Sequence, residues 1–519
     1  MKLEKTKNAR RNILFGILNK VITMFLPFVV RSVIIYALSA EYLGLNSLFS
    51  SILQVLNLTE LGFSSAIVYS MYKPIAENDD ETICALLNFY RKIYFIIGCV
   101  VLSLGLLLLP FLDKLINGDV PDNINIYILY LCYLVNTVLS YMMFAYRSSL
   151  LNAHQRTDII SNINTITLGS MYFLQIIVLI ATKNYYTYVL MMPAFTILNN
   201  LIVAAVSRKY YPQYECKGKL DSTLISGIKK QTAGLMVNKI CAVSRNSLDN
   251  IFVSTFLGLA ATAMYGNYYY IMNAIIAILM VVSNGLLAGV GNSIVTEPPE
   301  KNYSDLNKIN FVYMWFAGWC TICLICLYQP FMKLWVGEKL MFPNVVAIAF
   351  GIYFYALEMG VVRGVYSDAA GLWWENRYRA IVETIANLIL NYILVKCFGI
   401  LGIIVATLIS LLVINFGFGS QIVFKYYFKN KKLHEYFIYQ MYYAFVTLVL
   451  GGVTYYIVNS IKTDGVVGLA LKFLICCCVP NILYVLAYHK TNEYKIAMPW
   501  ILKIFHMDWL IRIICKGQR

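Results

Sequence analysis

Apolar residues along this chain gather into runs of about 20 or more, broken by short polar connectors, which is the pattern of helices that cross a bilayer repeatedly. At about 20 apolar residues per crossing, the first half divides into spans near 13–38, 43–70, 89–112, 125–146, 159–182 and 188–207. The second half continues near 231–257, 262–290, 309–329, 345–366, 380–396, 400–424, 438–459 and 465–488. Inside hydrocarbon every backbone polar group must be satisfied within its own segment. The expected fold is therefore an all-α polytopic membrane protein of about fourteen transmembrane helices, with short connectors making sequence neighbours antiparallel.

The two halves echo each other at an offset of about 220 residues. Asn19-Lys20 recurs as Asn238-Lys239, and Leu43-Gly44 recurs as Tyr265-Gly266. The turn LLNAHQRTD faces SDAAGLWWENRYR in the corresponding place. Two pseudo-symmetric six-helix bundles with a site between them are expected. The expected divisions are a bundle over 1–207, a cytoplasmic linker over 208–230, a second bundle over 231–424, an extra helix pair over 425–488 and a basic cytoplasmic tail over 489–519.

Composition excludes a soluble protein: 60% of residues are hydrophobic and 13% charged, against roughly 25% charged in a soluble domain. The net charge of +16 resides mainly in connectors. About thirty Lys and Arg fall on the side that holds the N-terminus and about six on the other, which places both termini in the cytoplasm. Such charge is topogenic and attracts anionic membrane lipids, and it predicts no nucleic-acid partner. The basic opening MKLEKTKNARRN precedes an apolar segment of about 25 residues without a small-residue cleavage pattern, so a retained first span is expected rather than a signal peptide. Thirteen cysteines fall mostly inside apolar runs and imply no disulfide framework. Cys320, Cys323 and Cys326 drift around a helix, with no fourth ligand following, and predict no metal or cluster site.

Charge inside the spans is where function is sought. Lys20 and Arg31 lie eleven residues apart in the first span, about three turns, so they share a face about 16 Å apart along the axis. A charge facing lipid costs roughly 2.5 kcal/mol or more. That face therefore looks into a wet cavity, unless Arg31 forms a structural pair or snorkels. Lys239 opens the corresponding span of the second half, where Asn238, Arg245 and Asp249 share a face. Arg245 and Asp249 either neutralise each other or divide the work, Arg245 binding an anion while Asp249 exchanges a proton or ion. Glu60, on a face with Asn57 and Ser64, carries the same ambiguity. Glu358, Arg363 and Glu383 lie nearer the cytoplasmic ends and read as structural or gate-forming. Lys472 lies close enough to the outer end of its span to snorkel. No phosphate-binding loop, Ser/His/Asp constellation or metal-ligand set is found, so no catalytic residue, metal or cofactor is expected, and the chain is not expected to be an enzyme.

The opening NARRNILFGILNKVITMFLPFVVRSVIIYALSAEYLGLNSLFSSILQVLNLTELGFSSAIVYSMY, the turn SLLNAHQRTD and the segment SLDNIFVSTFLGLAATAMYGNYYYI resemble the polysaccharide transporter family. These are the Wzx-type flippases of the multidrug/oligosaccharidyl-lipid/polysaccharide exporter superfamily. The resemblance implies inward-open and outward-open states around a cationic cavity. Its implied cargo is an undecaprenyl-diphosphate-linked oligosaccharide moved to the outer leaflet for capsule or other surface polysaccharide, with polymerase machinery as a further partner. A lipid II flippase or a drug/cation antiporter of the same superfamily is the alternative. Lys20, Arg31, Lys239 and Arg245 are the cations placed to replace the hydration of a diphosphate.

Overall fold

The computed structural model describes residues 5–57, 63–118, 120–222, 225–226, 241, 243–244, 247–429 and 433–504. The described residues are overwhelmingly helical and contain no strand. Ten of their helices are long and apolar enough to cross a membrane, or 11 if the bent pair Ile126–Met142 and Arg147–Ala153 counts as one span. This is an all-α, multi-pass membrane protein. Its chain contacts divide it into two compact units, Met1–Gly266 and Asn267–Arg519.

The first unit begins with α1 (Lys5–Ala37), α2 (Ala40–Leu56), α3 (Phe63–Glu77) and α4 (Asp80–Leu108). It continues with α5 (Ile126–Met142), α6 (Arg147–Ala153), α7 (Thr157–Thr182), α8 (Tyr185–Tyr210) and the first turns of α9 (Leu259–Thr296). Local chemistry sets several ends. Asp79 caps α4 by accepting from the Thr82 amide at 3.0 Å, with Asp80 and Glu81 in the first turn favoured by the helix dipole. Asn125 and Asn184 cap α5 and α8 in the same way. Lys183, left-handed at φ 50°, closes α7 immediately before Asn184. α1 packs along α7, and α5 lies against α4 and α8.

α2 owes its packing to small and polar residues at helical spacing. Gly44 lets the Leu259 carbonyl close onto the helix, with no room for a Cβ. One turn apart, Ser51 accepts from Asn250 at 3.1 Å, and the Gln54 Oε1 accepts from Ser247 at 3.1 Å. Without a hydrophobic driving force between helices in lipid, close backbone approach and interhelical hydrogen bonds hold such a seam. Residues 247–266 are thereby part of the first unit. This contact boundary is distinct from the repeat boundary near 231, which concerns internal symmetry.

The second unit contains the rest of α9 with α10 (Pro299–Trp335), α11 (Asn344–Glu358), α12 (Val361–Ala369) and α13 (Trp373–Ile409). A π-helical stretch, Ser410–Phe418, then leads into α14 (Gly419–Tyr426), followed by α15 (Leu433–Asn459), α16 (Gly465–Tyr488) and α17 (Asn492–Ile504). The apolar stretch Trp373–Tyr426 is 54 residues long, about 80 Å of helix against about 30 Å of hydrocarbon. It breaks at Gly399, whose φ of 56° and ψ of −131° leave the helical region. That is the gap between 396 and 400 expected from the sequence.

α10 is the hub of this unit, packing against α11, α15, α16 and α17. The helix pair expected to lie outside the repeat is joined to it through aromatic rings: Trp315 of α10 meets Tyr484 and Tyr488 of α16, and Phe311 meets Tyr443 of α15. Gly318 leaves room for the Thr447 and Tyr484 hydroxyls, which bond each other at 2.8 Å. The outer faces are apolar, with Phe445 and Leu448 of α15 and Val466 of α16 strongly exposed, as lipid-facing residues must be.

Candidate functional site

Among the described residues of the first unit, the intramembrane cation with a built environment is Arg31. It is half-buried on α1, and a Cβ added to Gly266 would stand 2.9 Å from its Nη2 and 3.0 Å from the Ser47 Oγ. The glycine therefore lets the guanidinium lie against backbone. Around it are tyrosines from α5 and α8. Tyr133 donates to Asn46 Oδ1 at 2.8 Å and meets the Tyr185 hydroxyl at 3.0 Å. Tyr185 and Tyr188 are both buried and within electrostatic reach of Arg31. A planar cation with five fixed donors, set among hydroxyl and amide groups away from bulk water, is suited to bidentate recognition of a phosphate or carboxylate.

Lys20, about 16 Å away along α1 by helix geometry, is exposed. Its neighbour Asn19 ties α1 to α7, donating to Thr165 Oγ1 at 3.1 Å and to the Ser161 carbonyl at 3.3 Å. Asp249 is buried and accepts from the Tyr265 hydroxyl at 3.1 Å. Lys239, Arg245 and Glu60 lie outside the described residues.

The three candidates of the second unit separate into two groups. Glu358 ends α11 buried, accepting a short hydrogen bond from the Tyr313 hydroxyl of α10. Arg363 and Glu383 are brought together through Asn415 of the π-helical stretch. The Arg363 Nη2 donates to the Asn415 carbonyl at 3.3 Å and to its Oδ1 at 3.2 Å. The Asn415 amide in turn donates to both Glu383 oxygens at 3.1 and 2.9 Å. Arg379 completes the chain, bonding Glu383 at 2.7 Å and Asn376 at 3.1 Å. Gly360 and Gly419 leave the space that the Arg363 guanidinium fills. Two arginines on one carboxylate through an amide bridge make a compact ionic joint between α12, α13 and the π-helical stretch. π-helical segments recur at functional positions because they re-aim side chains.

The turn LLNAHQRTD forms a third polar centre, outside the spans. His154 is buried and stacks on Tyr211 at 4.2 Å and Tyr214 at 5.8 Å. Burial pulls its imidazole down to about 4. Arg156 binds Asp158 through two bonds of 2.9 and 3.2 Å, and that carboxylate holds the guanidinium above its ordinary value. Arg147 is buried and donates to the Tyr214 carbonyl at 3.0 Å. The chain over Tyr211–Tyr214 is thus fastened to α6 and to the turn that follows it.

Sequence reasoning missed the tyrosine shell of Arg31, because Tyr185 and Tyr188 lie more than 150 residues from it and no local period links them. Arg379 and Asn415 were missed because one lies a residue before the expected span at 380–396 and the other is uncharged. Intramembrane Asn at helical spacing, as in Asn387 and Asn391 of α13, was the available signal.

Several solved structures share this arrangement of helices. One is a lipid II flippase, MurJ, in an inward closed conformation, with TM-score 0.63 and 16% identity over 92% of this chain and 99% of that chain. An inward-facing multidrug resistance MATE transporter of the MOP superfamily matches with TM-score 0.60 and 13% identity over 79% of this chain and 97% of that one. A Vibrio cholerae MATE transporter, VcmN, matches with TM-score 0.55 and 15% identity over 83% and 99%. No curated protein matches the chain significantly by sequence. The class is therefore a polytopic protein with the MurJ/MATE transporter fold. Residues 9–287 match the model of a family described as polysaccharide biosynthesis protein. The chain belongs to that family, in accord with the resemblance read from its sequence.

Proposed function

We propose that this protein is a flippase that carries an undecaprenyl-diphosphate-linked oligosaccharide from the cytoplasmic to the outer leaflet by alternating access, for capsule or other surface polysaccharide. The observation that carries the reading is Arg31, an intramembrane guanidinium seated on backbone at Gly266 beside Ser47 and within electrostatic reach of the buried Tyr185 and Tyr188. Family membership supports the direction of the inference. A diphosphate cannot enter hydrocarbon with its water shell, and cations fixed in a dry setting replace that hydration. The polyprenyl tail stays in lipid throughout. Lys20, Arg31, Lys239 and Arg245 are proposed as the cavity cations, with Glu60 and Asp249 as coupling or pairing carboxylates. Glu358, Arg363 and Glu383 are proposed as gate residues.

In this reading the protein transports rather than catalyses, spans the membrane about fourteen times with both termini cytoplasmic, and hands its cargo to polymerase machinery. Flipping of lipid II is the second reading, favoured by the fold shared with a lipid II flippase over 92% of this chain. Both cargoes present a diphosphate to the same cation, so both predict the same behaviour at Arg31.

Replacing Arg31 with Ala in cells is expected to lower surface polysaccharide at normal protein levels while lipid-linked precursor accumulates. Arg31→Lys keeps charge and loses the planar fork, and an intermediate export level is expected. Undiminished export from Arg31→Ala would remove this residue from the site.

A further inference from the structure

Within the second unit a cavity of about 380 Å³ opens at the end of the bundle where α10 and α15 finish and α11 and α16 begin. α17 packs near the opposite end of α10, where Trp500 lies against Lys308 and Tyr494 against Trp315. The cavity lining is mixed: Ile325, Leu334, Ile348 and Leu469 are apolar, and Lys333, Lys472, Asp464, Asn344 and Asn459 are polar or charged. The two lysines differ in kind. Lys333 is already balanced, 2.9 Å from Glu338 and 3.8 Å from Asp464. Lys472 is half-buried on α16, about two turns and 10 Å from the helix start at Gly465. No carboxylate among the described residues forms an ion pair with it. An ammonium at that depth demands an anion or water. The first turns of α11 and α16, whose N-caps Pro343 and Asp464 supply no side-chain cap, also line the cavity.

Snorkelling was the role expected of Lys472. Its place in the lining of a cavity gives it a second available role.

We propose that this cavity is a binding site for one phosphate group carried by a membrane lipid. The phosphodiester is held by Lys472, the headgroup hydroxyls bond Asn344 and Asn459, and the chains leave past Leu334 and Leu469. Glu338 and Asp464 balance the two lysines in number, but both lie against Lys333, and the Lys472 ammonium is left to meet the single charge of a phosphodiester. The site lies wholly inside the second unit and is independent of the cargo reading: its test measures lipid binding, whatever the protein transports.

The test uses the full-length protein in a neutral detergent, titrated with dioctanoyl phosphatidylglycerol and, separately, with sn-glycerol 3-phosphate and dioctanoylglycerol. Lys472→Ala is expected to weaken phosphatidylglycerol binding tenfold or more. Lys472→Arg is expected to stay within about threefold, because the charge is preserved. Asp464→Asn, which removes a competing carboxylate, is expected to leave affinity equal or higher. Binding by phosphatidylglycerol but not by glycerol 3-phosphate assigns the lipid as the source of the phosphate. Tighter binding of the soluble anion would overturn that assignment. Equal affinity of wild type and Lys472→Ala, or equal affinity for uncharged dioctanoylglycerol, would overturn the site itself.

Discussion

Gly419 has no side chain, and a Cβ there would overlap the Arg363 guanidinium. Gly419→Ala forces a buried arginine out of its bonds with Asn415, and the overpacking term alone is about 1–3 kcal/mol. A lower thermal unfolding midpoint in detergent is expected. Gly266→Ala acts more mildly, because its Cβ would stand 2.9 Å from the Arg31 guanidinium, farther than a Cβ at Gly419 from Arg363, and Arg31 is half-buried where Arg363 is buried. The fold is expected to survive while Arg31 is displaced and export falls, read as normal protein level with reduced surface polysaccharide. His154 gives a pH dependence. Its imidazole titrates near 6.5 when unfolded and near 4 when buried. The unfolded chain therefore binds the proton first, so this contribution to stability is full above about 6.5 and lost as pH falls toward 4. His154→Phe keeps a ring on Tyr211 and removes the proton, and it is expected to flatten that part of the stability profile between pH 6.5 and 4.

At the scale of elements, the periodic apolar pattern gave the helices, including the break near Gly399 that turns one 54-residue stretch into two. Helix ends were less legible: α4 starts at Asp80, nine residues before the expected span at 89, capped by Asp79, and Asp79→Ala is expected to fray that end, read as a lower unfolding temperature. Contacts across the chain were not legible. Glu383 and Asn415 are 32 residues apart, and Arg363 and Asn415 are 52 apart. No local period links them, so Arg363 and Glu383 could be suspected only as separate charges. The joint they form predicts a large penalty for breaking it. Glu383→Ala leaves the buried Arg363 and the half-buried Arg379 without their carboxylate, and about 3 kcal/mol of stability should be lost. A matching drop in unfolding temperature checks this, and a neutral outcome would mean that water reaches the joint.

At the scale of the whole molecule, family membership and a fold shared with lipid II and multidrug transporters agree with the hydropathy pattern and the charge in the first span. The cargo is set by chemistry at individual side chains, because unlike substrates are carried on one fold. The account therefore stands on Arg31 recognising a diphosphate. The direct measurement is flipping of a fluorescent undecaprenyl-diphosphate-linked oligosaccharide by purified protein in sealed vesicles, comparing wild type with Arg31→Ala and Arg31→Lys. Losing a charge-assisted contact of roughly 1.5–3 kcal/mol predicts a rate for Arg31→Ala about tenfold or more below wild type, with Arg31→Lys between them. An Arg31→Ala protein that inserts normally and flips the lipid at the wild-type rate would contradict the account.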